Sequence, residues 1–232
     1  MDILVETRAA AAPLVHLTFE PDEPLDAVID ALVLAENAGT EAEIWLHGTT
    51  PERRAYFEST NRRTDRTLLQ MRCPLPTPRS TVSTRAFTEA DRQDIITVNN
   101  RAFAWHPEQS GLTEADVRSD IGTPWFQADG FRLHHDVDGR LAGFCWTKVH
   151  TEPEPLGEIY VIAVDPDFHG QGKGRQLTLA GLDWLHAAGL STAMLYVESD
   201  NLAAVKTYER IGFHTHRTDT LWRPGGGDRQ DQ

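Results

Sequence analysis

The stretch that decides the fold is VDPDFHGQGKGRQ, residues 164–176, in which glycines occupy positions 170, 172 and 174. It follows the apolar run GEIYVIAV and precedes LTLAGLDWLHAAG, in which leucines recur at helical spacing. This order predicts a strand, a short loop and a helix. The first turn of a helix presents unbonded backbone N–H groups and the positive end of the helix dipole. Because glycines let an anion approach such a backbone closely, the stretch predicts a pyrophosphate cradle.

Two common nucleotide-binding motifs do not match this loop. Lys173 is followed by Gly174 rather than by the Ser or Thr of a P-loop, and the three glycines lack the spacing of the dinucleotide fingerprint. A helix dipole contributes only about 0.3–1 kcal/mol at an exposed terminus, so tight binding needs several directed N–H bonds and the charges of Lys173 and Arg175. Taken alone, the loop is equally consistent with a glycine turn that simply precedes a helix.

The composition of the 232-residue chain argues against several classes of partner. Asp and Glu total 35 against 22 Lys and Arg, a formal charge of −13, which disfavours binding to nucleic acid or to an anionic membrane. No apolar run approaches the roughly 18 residues of a membrane span, and acidic residues rather than a basic segment follow Met1, so we expect a cytoplasmic protein. Cys73 and Cys145 match no metal or redox motif.

Hydrophobic periodicity divides the chain at a proline-rich segment. Before it, the pattern predicts a helix over residues 25–36, the strand AEIWLH, a second helix from Pro51 and a strand at LLQM. The segment CPLPTPRSTVST, residues 73–84, is the best linker candidate because of its three prolines and its Ser and Thr residues. We therefore place a boundary near residue 80.

Beyond that boundary, strands and helices alternate. Residues 82–87 are predicted to be extended, and Thr88 with Asp91 and Thr113 with Asp116 predict two capped helix starts. The Asp-Gly pair between FRLHHDV and LAGFCWTKVH predicts a hairpin. The remaining predicted elements are, in chain order, a strand over 157–164, a helix over 172–188, the strand TAMLYVES, a helix from residue 201, and a closing strand pair formed by GFHTHR and TLWR.

At the glycine loop the chain resembles the GNAT superfamily of acetyl-CoA-dependent N-acetyltransferases. The loop of that superfamily has the form Gln/Arg-x-x-Gly-x-Gly/Ala, matched here by His169, Gly172 and Gly174, with His169 departing from the usual first residue. The resemblance extends over residues 82–223. Within it, VNNRAFAWHPEQ, FCWTKVH, LGEIYVIAVDP, LTLAGLDWL and LYVESDNLAAVKTYERIGF resemble the mycothiol synthase family, whose members have two tandem GNAT domains.

The resemblance also predicts the domain organisation. Residues 25–72, with AEIWLHGTTPE and RTLLQMRCPL, resemble the closing half of a first tandem domain, whose opening half we expect to be absent from this chain. We predict a partial GNAT-like domain over residues 1–78, a catalytic GNAT domain over 79–224 and a disordered tail over 225–232. The implied fold class is α/β or α+β, with a mixed, mostly antiparallel central sheet that is flanked by helices and splayed at the acetyl-CoA site.

The same resemblance implies where acetyl-CoA binds. The pantetheine arm is expected to bond to the backbone of three residues at the end of the strand, while the loop and a later helix hold the remainder. The implied cofactor-binding residues are Ile162, Ala163, Val164, His169, Gly170, Gln171, Gly172, Lys173, Gly174, Arg175, Asn201 and Lys206. We expect no metal, because His134-His135 and His214-x-His216 have no evident third ligand.

Two residues are predicted to catalyse the transfer. Acetylation of an amine needs an unprotonated nitrogen and an acid to meet the departing thiolate. Glu158, at the start of the central strand, is the predicted base, with an exposed strand-end charge as the alternative and Glu154 as a candidate second carboxylate. Tyr208 matches the acid of the superfamily, with a half-buried aromatic packed beside Val205 and Ile211 as the alternative.

The mycothiol synthase pattern further implies an acceptor site formed by Glu108, Lys148, Glu158 and Tyr196. Carboxylates suit an ammonium group, and polar donors suit hydroxyls. We therefore predict acetylation of the cysteinyl amine of the cysteinyl-glucosaminyl-inositol precursor in mycothiol biosynthesis. The alternatives are an acetyltransferase for another small-molecule amine or a peptide N-terminus, and a non-catalytic acetyl-CoA-binding regulatory protein. A homodimer is also expected, because an incomplete first domain leaves a sheet edge unpaired.

Overall fold

The structure is a computed structural model that describes residues 2–6, 14–104 and 111–225. Its strands are β1 (Asp2–Glu6), β2 (Leu14–Phe19), β3 (Glu41–Leu46), β4 (Arg62–Pro74), β5 (Arg85–Ala86), β6 (Phe131–His135), β7 (Leu141–His150), β8 (Leu156–Val164), β9 (Thr192–Glu198) and β10 (His214–Pro224). Its helices are α1 (Leu25–Asn37), α2 (Pro51–Ser59), α3 (Arg92–Ala102), α4 (Glu114–Ile121), α5 (Lys173–Ala187) and α6 (Leu202–Ile211). In this part of the chain no helix combines the length and the apolar character needed to cross a membrane.

The chain folds into two compact units. The first contains the described residues of Met1–Gln70, Val197–Leu202 and Thr215–Gln232, and the second contains those of Met71–Tyr196 and Ala203–His214. The predicted domain division between residues 78 and 79 stays a prediction. Residues 226–232 of the predicted tail lie outside the described residues.

The first unit is built around a mixed sheet with the strand order β1-β2-β3-β10-β4. Strands β2 and β3 are parallel and are joined by α1, because a parallel pair requires a crossover connection. Val28 and Leu32 of α1 are buried in one cluster with Ile44 of β3. In the same cluster Phe57 of α2 stacks on Trp222 of β10, with ring centroids 5.3 Å apart. One apolar core therefore holds both helices and the last strand of the chain.

The second unit has the strand order β9-β8-β7-β6-β5, in which β8 and β9 are parallel and the other pairs are antiparallel. Helix α5 is the crossover between β8 and β9, so the glycine loop lies at the carboxyl end of β8. A Cβ added at Gly181 of α5 would come within 2.5 Å of the Cys145 sulfur and 2.9 Å of Ile159. Glycine at this position therefore lets α5 pack closely on the sheet, which fixes where the loop must enter the helix.

The other face of β7 and β8 carries an aromatic core. Because neighbouring strand residues point to opposite faces, Phe144 and Trp146 lie on the face away from α5. The Trp146 ring stacks on Phe131 with centroids 4.5 Å apart, and the cluster includes Ile95 and Val98 of α3. Trp146 is therefore a core residue.

Several predicted elements are confirmed in detail. Thr88 and Asp91 form a capping box at the 3-10 turn Glu89–Asp91, which leads directly into α3, and Thr113 and Asp116 form one at the start of α4. Gly139 lies between β6 and β7 with a φ of 81°, as expected for the predicted hairpin turn. The mixed sheet flanked by helices agrees with the predicted fold class.

The predicted closing strand pair is wrong, because β10 is one continuous strand. The predicted break fell at Thr218-Asp219, between the two predicted strands. In the structure Asp219 is buried and hydrogen-bonded to the His47 Nδ1 at 2.8 Å, the Gly48 N at 2.9 Å and the Arg217 Nη2 at 3.0 Å. These partners compensate the buried carboxylate, so the strand continues through it.

The predicted linker is held against α5 rather than free. The Ser80 N donates to Asp183 at 3.0 Å, and the Ser80 hydroxyl donates to the Gln176 carbonyl at 2.9 Å. The Thr81 N also donates to the Gln176 side chain at 2.8 Å. Only two of the predicted extended residues 82–87 form strand β5, and LLQM belongs to the much longer strand β4. These differences arise from contacts with α5 and the sheet, which local sequence does not encode.

Candidate active site

The glycine loop joins β8 to α5 through a short 3-10 turn. The turn spans Pro166–Phe168, and α5 begins at Lys173, directly after Gly172. Gly170 and Gly172 have φ angles of 74° and 72°, a left-handed backbone that glycine adopts without steric cost. The Gln176 N donates to the Gly172 carbonyl at 3.2 Å in the first turn of α5. The amides that precede Gln176 have no carbonyl to bond within the helix.

Helix α5 begins without a cap from its own side chains. Thr50 caps α2 and Thr113 caps α4, whereas Gly172 offers no side-chain cap and the first turn of α5 has no acidic residue. A Cβ added at Gly174 would meet only Val164, at 3.8 Å, and Gly174 lacks a positive φ. Neither packing nor backbone strain therefore requires glycine at 174. Open space beside unbonded amides fits an anion that approaches the backbone, such as a diphosphate.

Two arginines anchor the start of the loop. The buried Asp165 lies 2.8 Å from Arg140 and 3.3 Å from Arg101, and its N donates to the Ala142 carbonyl at 3.0 Å. Arg101 also pairs with Asp167 at 2.9 Å. The hydrogen bond from Arg140, with the charges of both arginines, lowers the pKa of Asp167 below its ordinary value. The loop is thus tied to α3 and to the hairpin between β6 and β7.

Two predicted cofactor side chains point back toward the sheet. The Lys173 ammonium lies 2.9 Å from the Nε2 of the buried His134, whose Nδ1 lies 2.9 Å from the Ser83 carbonyl. Because a carbonyl only accepts, the His134 Nδ1 carries the ring proton and Nε2 accepts from Lys173. The His169 Nε2 lies 3.0 Å from the Val164 carbonyl. At positions 169 and 173 the backbone, rather than the side chain, faces the open space.

The two central strands separate beside the loop. The parallel pairing between β8 and β9 ends at Ile159 and Leu195, although β8 continues to Val164. A β-bulge leaves Tyr160 without a register partner in β7 and bends the strand at the same point. The predicted splay is therefore present. The predicted backbone-binding residues on this separated part of β8 are Ile162, Ala163 and Val164.

Glu158 is buried, not an exposed strand-end charge. Its neighbour Gly157 faces α5, because an added Cβ there would come within 2.9 Å of Leu185, so Glu158 lies on the opposite face. The residue is 8% exposed, and its Oε2 lies 2.7 Å from the Nε2 of His150. The strand register places Lys148 directly opposite Glu158. A carboxylate, an imidazole and an ammonium group thus share one face of β7 and β8.

The Lys148 ammonium contacts aromatic rings on that face. It lies 4.7 Å from the Trp125 ring centroid and 5.5 Å from that of Tyr160, distances typical of cation–π contacts. Burial, together with the charge of Asp120, raises the pKa of Tyr160 above its ordinary value. The Trp146 Nε1 is buried and has no hydrogen-bond partner within the described residues. The face therefore offers charged, aromatic and hydrogen-bonding groups together.

Tyr208 is a buried residue of α6. It is 8% exposed, and its ring lies 5.9 Å from that of Phe213. Burial raises the pKa of the Tyr208 phenol well above its ordinary value, with a smaller contribution from Cys145. The Tyr208 hydroxyl therefore keeps its proton throughout the physiological pH range.

The remaining predicted site residues lie in different environments. Tyr196 of β9 is 39% exposed, and Lys206 is an exposed residue of α6. Asn201 belongs to the first unit, directly before α6. Glu108 lies outside the described residues.

Comparison with known proteins identifies the family. Residues 94–213, just over half of the chain, match the acetyltransferase (GNAT) family. The chain belongs to this family. It is 41% identical over 226 residues to the mycothiol acetyltransferase of Mycolicibacterium gilvum, covering 91% of this chain and 74% of that protein. It is 43% identical over 222 residues to the mycothiol acetyltransferase of Streptomyces coelicolor, covering 92% and 71%. The resemblance drawn from the sequence is confirmed.

Solved structures show the same GNAT fold. A GCN5-related N-acetyltransferase from Sphaerobacter thermophilus aligns with a TM-score of 0.73 and 17% identity, over 97% of this chain and 77% of that one. A tandem GNAT protein from the clavulanic acid biosynthesis pathway aligns with a TM-score of 0.58 and 15% identity, over 94% and 77%. At these identities the likeness concerns the fold.

Three residues of the candidate site were not predicted from the sequence. His150 and Tyr160 stand two positions from Lys148 and Glu158, so strand alternation would have placed them on the same face. No sequence signal points to Trp125, which reaches the site from the loop after α4. Within the described ranges, no group of three or more His, Cys, Asp or Glu residues is arranged to hold a metal ion.

Proposed function

We propose that this GNAT protein transfers the acetyl group of acetyl-CoA to the cysteinyl amine of the cysteinyl-glucosaminyl-inositol precursor in mycothiol biosynthesis. The observation that carries the proposal is the buried carboxylate of Glu158 on the strand that leads into the glycine loop. The names of relatives about 40% identical over most of the chain support the choice of acceptor. Acetyl-CoA supplies an acetyl group activated as a thioester.

The loop residues fit the diphosphate of acetyl-CoA. The amides at the start of α5 would donate to phosphate oxygens, and Arg175 would add charge close to them. The separated end of β8, at residues 162–164, would bond the pantetheine arm through its backbone. Asn201 and Lys206 complete the proposed set by resemblance to the family.

Glu158 is the proposed general base. An α-amino group titrates near pH 7.7–8.0, so only about a tenth of it is neutral at pH 7 and a base must remove its extra proton. The Glu158 carboxylate is buried on the face that also carries Lys148 and Tyr160. It would take the proton from the acceptor nitrogen before the nitrogen reacts.

Tyr208 is the proposed acid. The sulfur that leaves the acetyl group needs a proton, and a phenol that stays protonated holds one ready. Burial raises the pKa of Tyr208, so the hydroxyl remains in the donor form at the pH of the reaction.

Four residues are proposed to bind the acceptor. Glu108 and Glu158 would pair with its ammonium group, while Lys148 and Tyr196 would bond to sugar hydroxyls. Lys148 already lies beside Trp125, so an apolar ring face would stand next to the polar contacts.

The test is turnover with chemically defined amines. Because the conjugate carries its own thiol, free coenzyme A and the acetylated product should be separated and quantified by liquid chromatography. We expect saturable turnover with the conjugate, at least about tenfold better than with glucosamine, cysteine or a dipeptide. Faster turnover of another amine would assign a different specificity. If the protein binds acetyl-CoA but acetylates none of these amines, the result would support the alternative of a non-catalytic acetyl-CoA-binding protein.

Two further expectations belong to this proposal. Strand β1 is the edge of the sheet in the first unit, and an edge strand can pair with a second chain, so the homodimer stays a prediction that light scattering would test. The cytoplasmic location also stays a prediction.

A further inference from the structure

The strongest unexplained contact in the site joins Glu158 to His150. The Nε2 of His150 lies 2.7 Å from the Oε2 of Glu158, a distance typical of a charge-assisted hydrogen bond. The side chain of Glu158 is 10% exposed and that of His150 is 29% exposed. The imidazole therefore stands between a buried carboxylate and solvent.

The register makes this pairing specific. Lys148, not His150, is directly opposite Glu158 in the strand pair, while His150 is opposite Leu156. The Lys148 ammonium instead lies over the Trp125 and Tyr160 rings. A lysine bound to the carboxylate would hold a permanent positive charge beside it and favour its charged form. An imidazole can be neutral, so it can hydrogen-bond to the carboxylate without placing a permanent positive charge beside it.

We propose that His150 positions the Glu158 carboxylate and relays to solvent the proton that Glu158 takes from the acceptor. This inference rests on the proposed acetyltransferase function. Moving an acetyl group from a thioester to an ammonium nitrogen forms one amide and one thiol and releases one proton. That proton must leave Glu158 before the next turnover, and the burial of Glu158 limits direct contact with water.

The relay balances in protons and charge. The neutral carboxyl of Glu158 donates from Oε2 to the His150 Nε2 when the imidazole carries its own proton on Nδ1, and transfer of that proton forms a carboxylate beside an imidazolium. The imidazolium then releases one proton to water, because its ring is partly exposed. Both groups return to their starting charges. Among the described residues, the other charged or titratable groups near this pair include Lys148 and Tyr160 on the same face, Asp120 of α4, and Glu152 and Glu154 in the loop that follows β7.

Two substitutions separate positioning from proton transfer. His150→Gln keeps a hydrogen-bond donor beside Glu158 but cannot carry a proton, whereas His150→Ala removes the contact. His186→Gln, at an exposed position of α5, is the matched control. For each protein we would measure the thermal midpoint, the Kd for acetyl-CoA, and kcat over a range of imidazole buffer concentrations, using an amine that the unaltered protein acetylates.

We expect both His150 variants to lose about tenfold to a hundredfold in kcat, below the 10²–10⁴ typical of a direct acid or base. Their Kd for acetyl-CoA should be unchanged. Their kcat should rise with imidazole concentration, since the buffer replaces the missing relay, while the control and the unaltered protein should show no such dependence. A role in orientation alone would leave His150→Gln near normal activity.

The inference is overturned if His150→Gln has normal kcat, or if neither variant responds to buffer. In those cases turnover by the unaltered protein still supports the proposed function. If the unaltered protein acetylates no amine, the proposed function fails and the relay fails with it. The three results are therefore distinguishable.

Discussion

At the scale of single residues, the site depends on how each charge is partnered. Glu158 is buried beside an imidazole, whereas Lys148, its direct partner in register, contacts aromatic rings. A buried carboxylate is costly unless a hydrogen bond compensates it, and His150 supplies that bond without fixing a permanent positive charge beside it. Under the proposed function, this arrangement would leave Glu158 available for proton transfer.

Substitution Glu158→Gln tests the base. The amide keeps the shape and one hydrogen-bonding oxygen but cannot accept a proton at neutral pH, so kcat should fall by about 10²–10⁴. The Kd for acetyl-CoA, measured by calorimetry, should stay the same. Glu152→Gln, at an exposed position in the loop before β8, is the control and should retain full activity. Equal kcat in the two variants would remove Glu158 as the base.

Substitution Tyr208→Phe tests the acid. Loss of the hydroxyl should reduce kcat about 100-fold, the lower end of the range typical of acid catalysis, without changing the Kd for acetyl-CoA. Because burial raises the pKa of Tyr208, ionisation of this residue should not limit kcat below about pH 10. A pH profile of kcat for both proteins checks this. The assignment would be contradicted if kcat of the unaltered protein declined below about pH 10 and this decline were absent in Tyr208→Phe.

At the scale of elements, two glycines of the same loop have different structural requirements. Gly172 needs its left-handed backbone, whereas Gly174 has an ordinary φ and space around it. Gly172→Ala should destabilise the protein by about 1–2 kcal/mol. Gly174→Ala should leave the free energy of unfolding unchanged or raise it by about 0.5–1 kcal/mol. The same substitution should raise the Kd for acetyl-CoA roughly tenfold, because the added methyl group prevents a close contact with the backbone amide. Urea unfolding and calorimetry measure the two effects.

The control for this pair is Gly39→Ala. Gly39 has the same φ of 72° and an equally open surrounding, but it follows α1 in the first unit. It should lose as much stability as Gly172→Ala while binding acetyl-CoA normally. If Gly174→Ala also binds normally, the diphosphate does not approach the backbone at that residue.

The capping box at α3 gives a second element-scale prediction. Asp91 accepts hydrogen bonds from Arg85 and from the N and hydroxyl of Thr88, and the Arg85 bond is the largest cause of a pKa lowered from 3.8 to about 2. Since the folded-state value lies below the ordinary one, this stabilisation is present above about pH 4 and is lost as the pH falls toward 2. Asp91→Asn should cost about 1–3 kcal/mol at pH 7 in urea unfolding.

The exposed box at α4 is the comparison for that variant. Asp116 caps its helix in the same way but lies at the surface. Asp116→Asn should therefore lower the free energy of unfolding by less than Asp91→Asn does. The difference in free energy of unfolding between Asp91→Asn and the unaltered protein should become smaller as the pH falls from 4 to 2. A difference that stays constant with pH would mean that the Asp91 charge does not contribute.

At the scale of the whole molecule, a buried thiol predicts how stability changes in alkali. Burial raises the pKa of Cys145 from 9.0 to about 12. Between these values the folded protein holds a proton that the unfolded chain releases, so the free energy of unfolding should fall as pH rises, by at most about 1.4 kcal/mol per pH unit from this thiol. Urea unfolding between pH 8 and pH 11 should show a shallower decline for Cys145→Ala. Parallel declines would contradict the prediction.

Most of the fold was predictable because its elements carry local signals. Helical spacing placed α1 and α5, and Thr and Asp at fixed separation placed the starts of α3 and α4. The unbroken β10 was not predictable, because Asp219 is tolerated inside the strand only through His47, Gly48 and Arg217, two of which are far away in sequence. The packing of the linker on α5 was missed for the same reason.

The candidate site divides in a similar way. The sequence by itself determined the glycine loop, because φ angles near +70° and a helix start depend on residue type and order. It also supplied Glu158 and Tyr208 as candidates through family resemblance. Only the tertiary structure decided that Glu158 is buried beside His150, that Lys148 lies over aromatic rings and that β8 separates from β9. Those features depend on strand register and on which residues face each other across the sheet, and neither is encoded within one segment of chain.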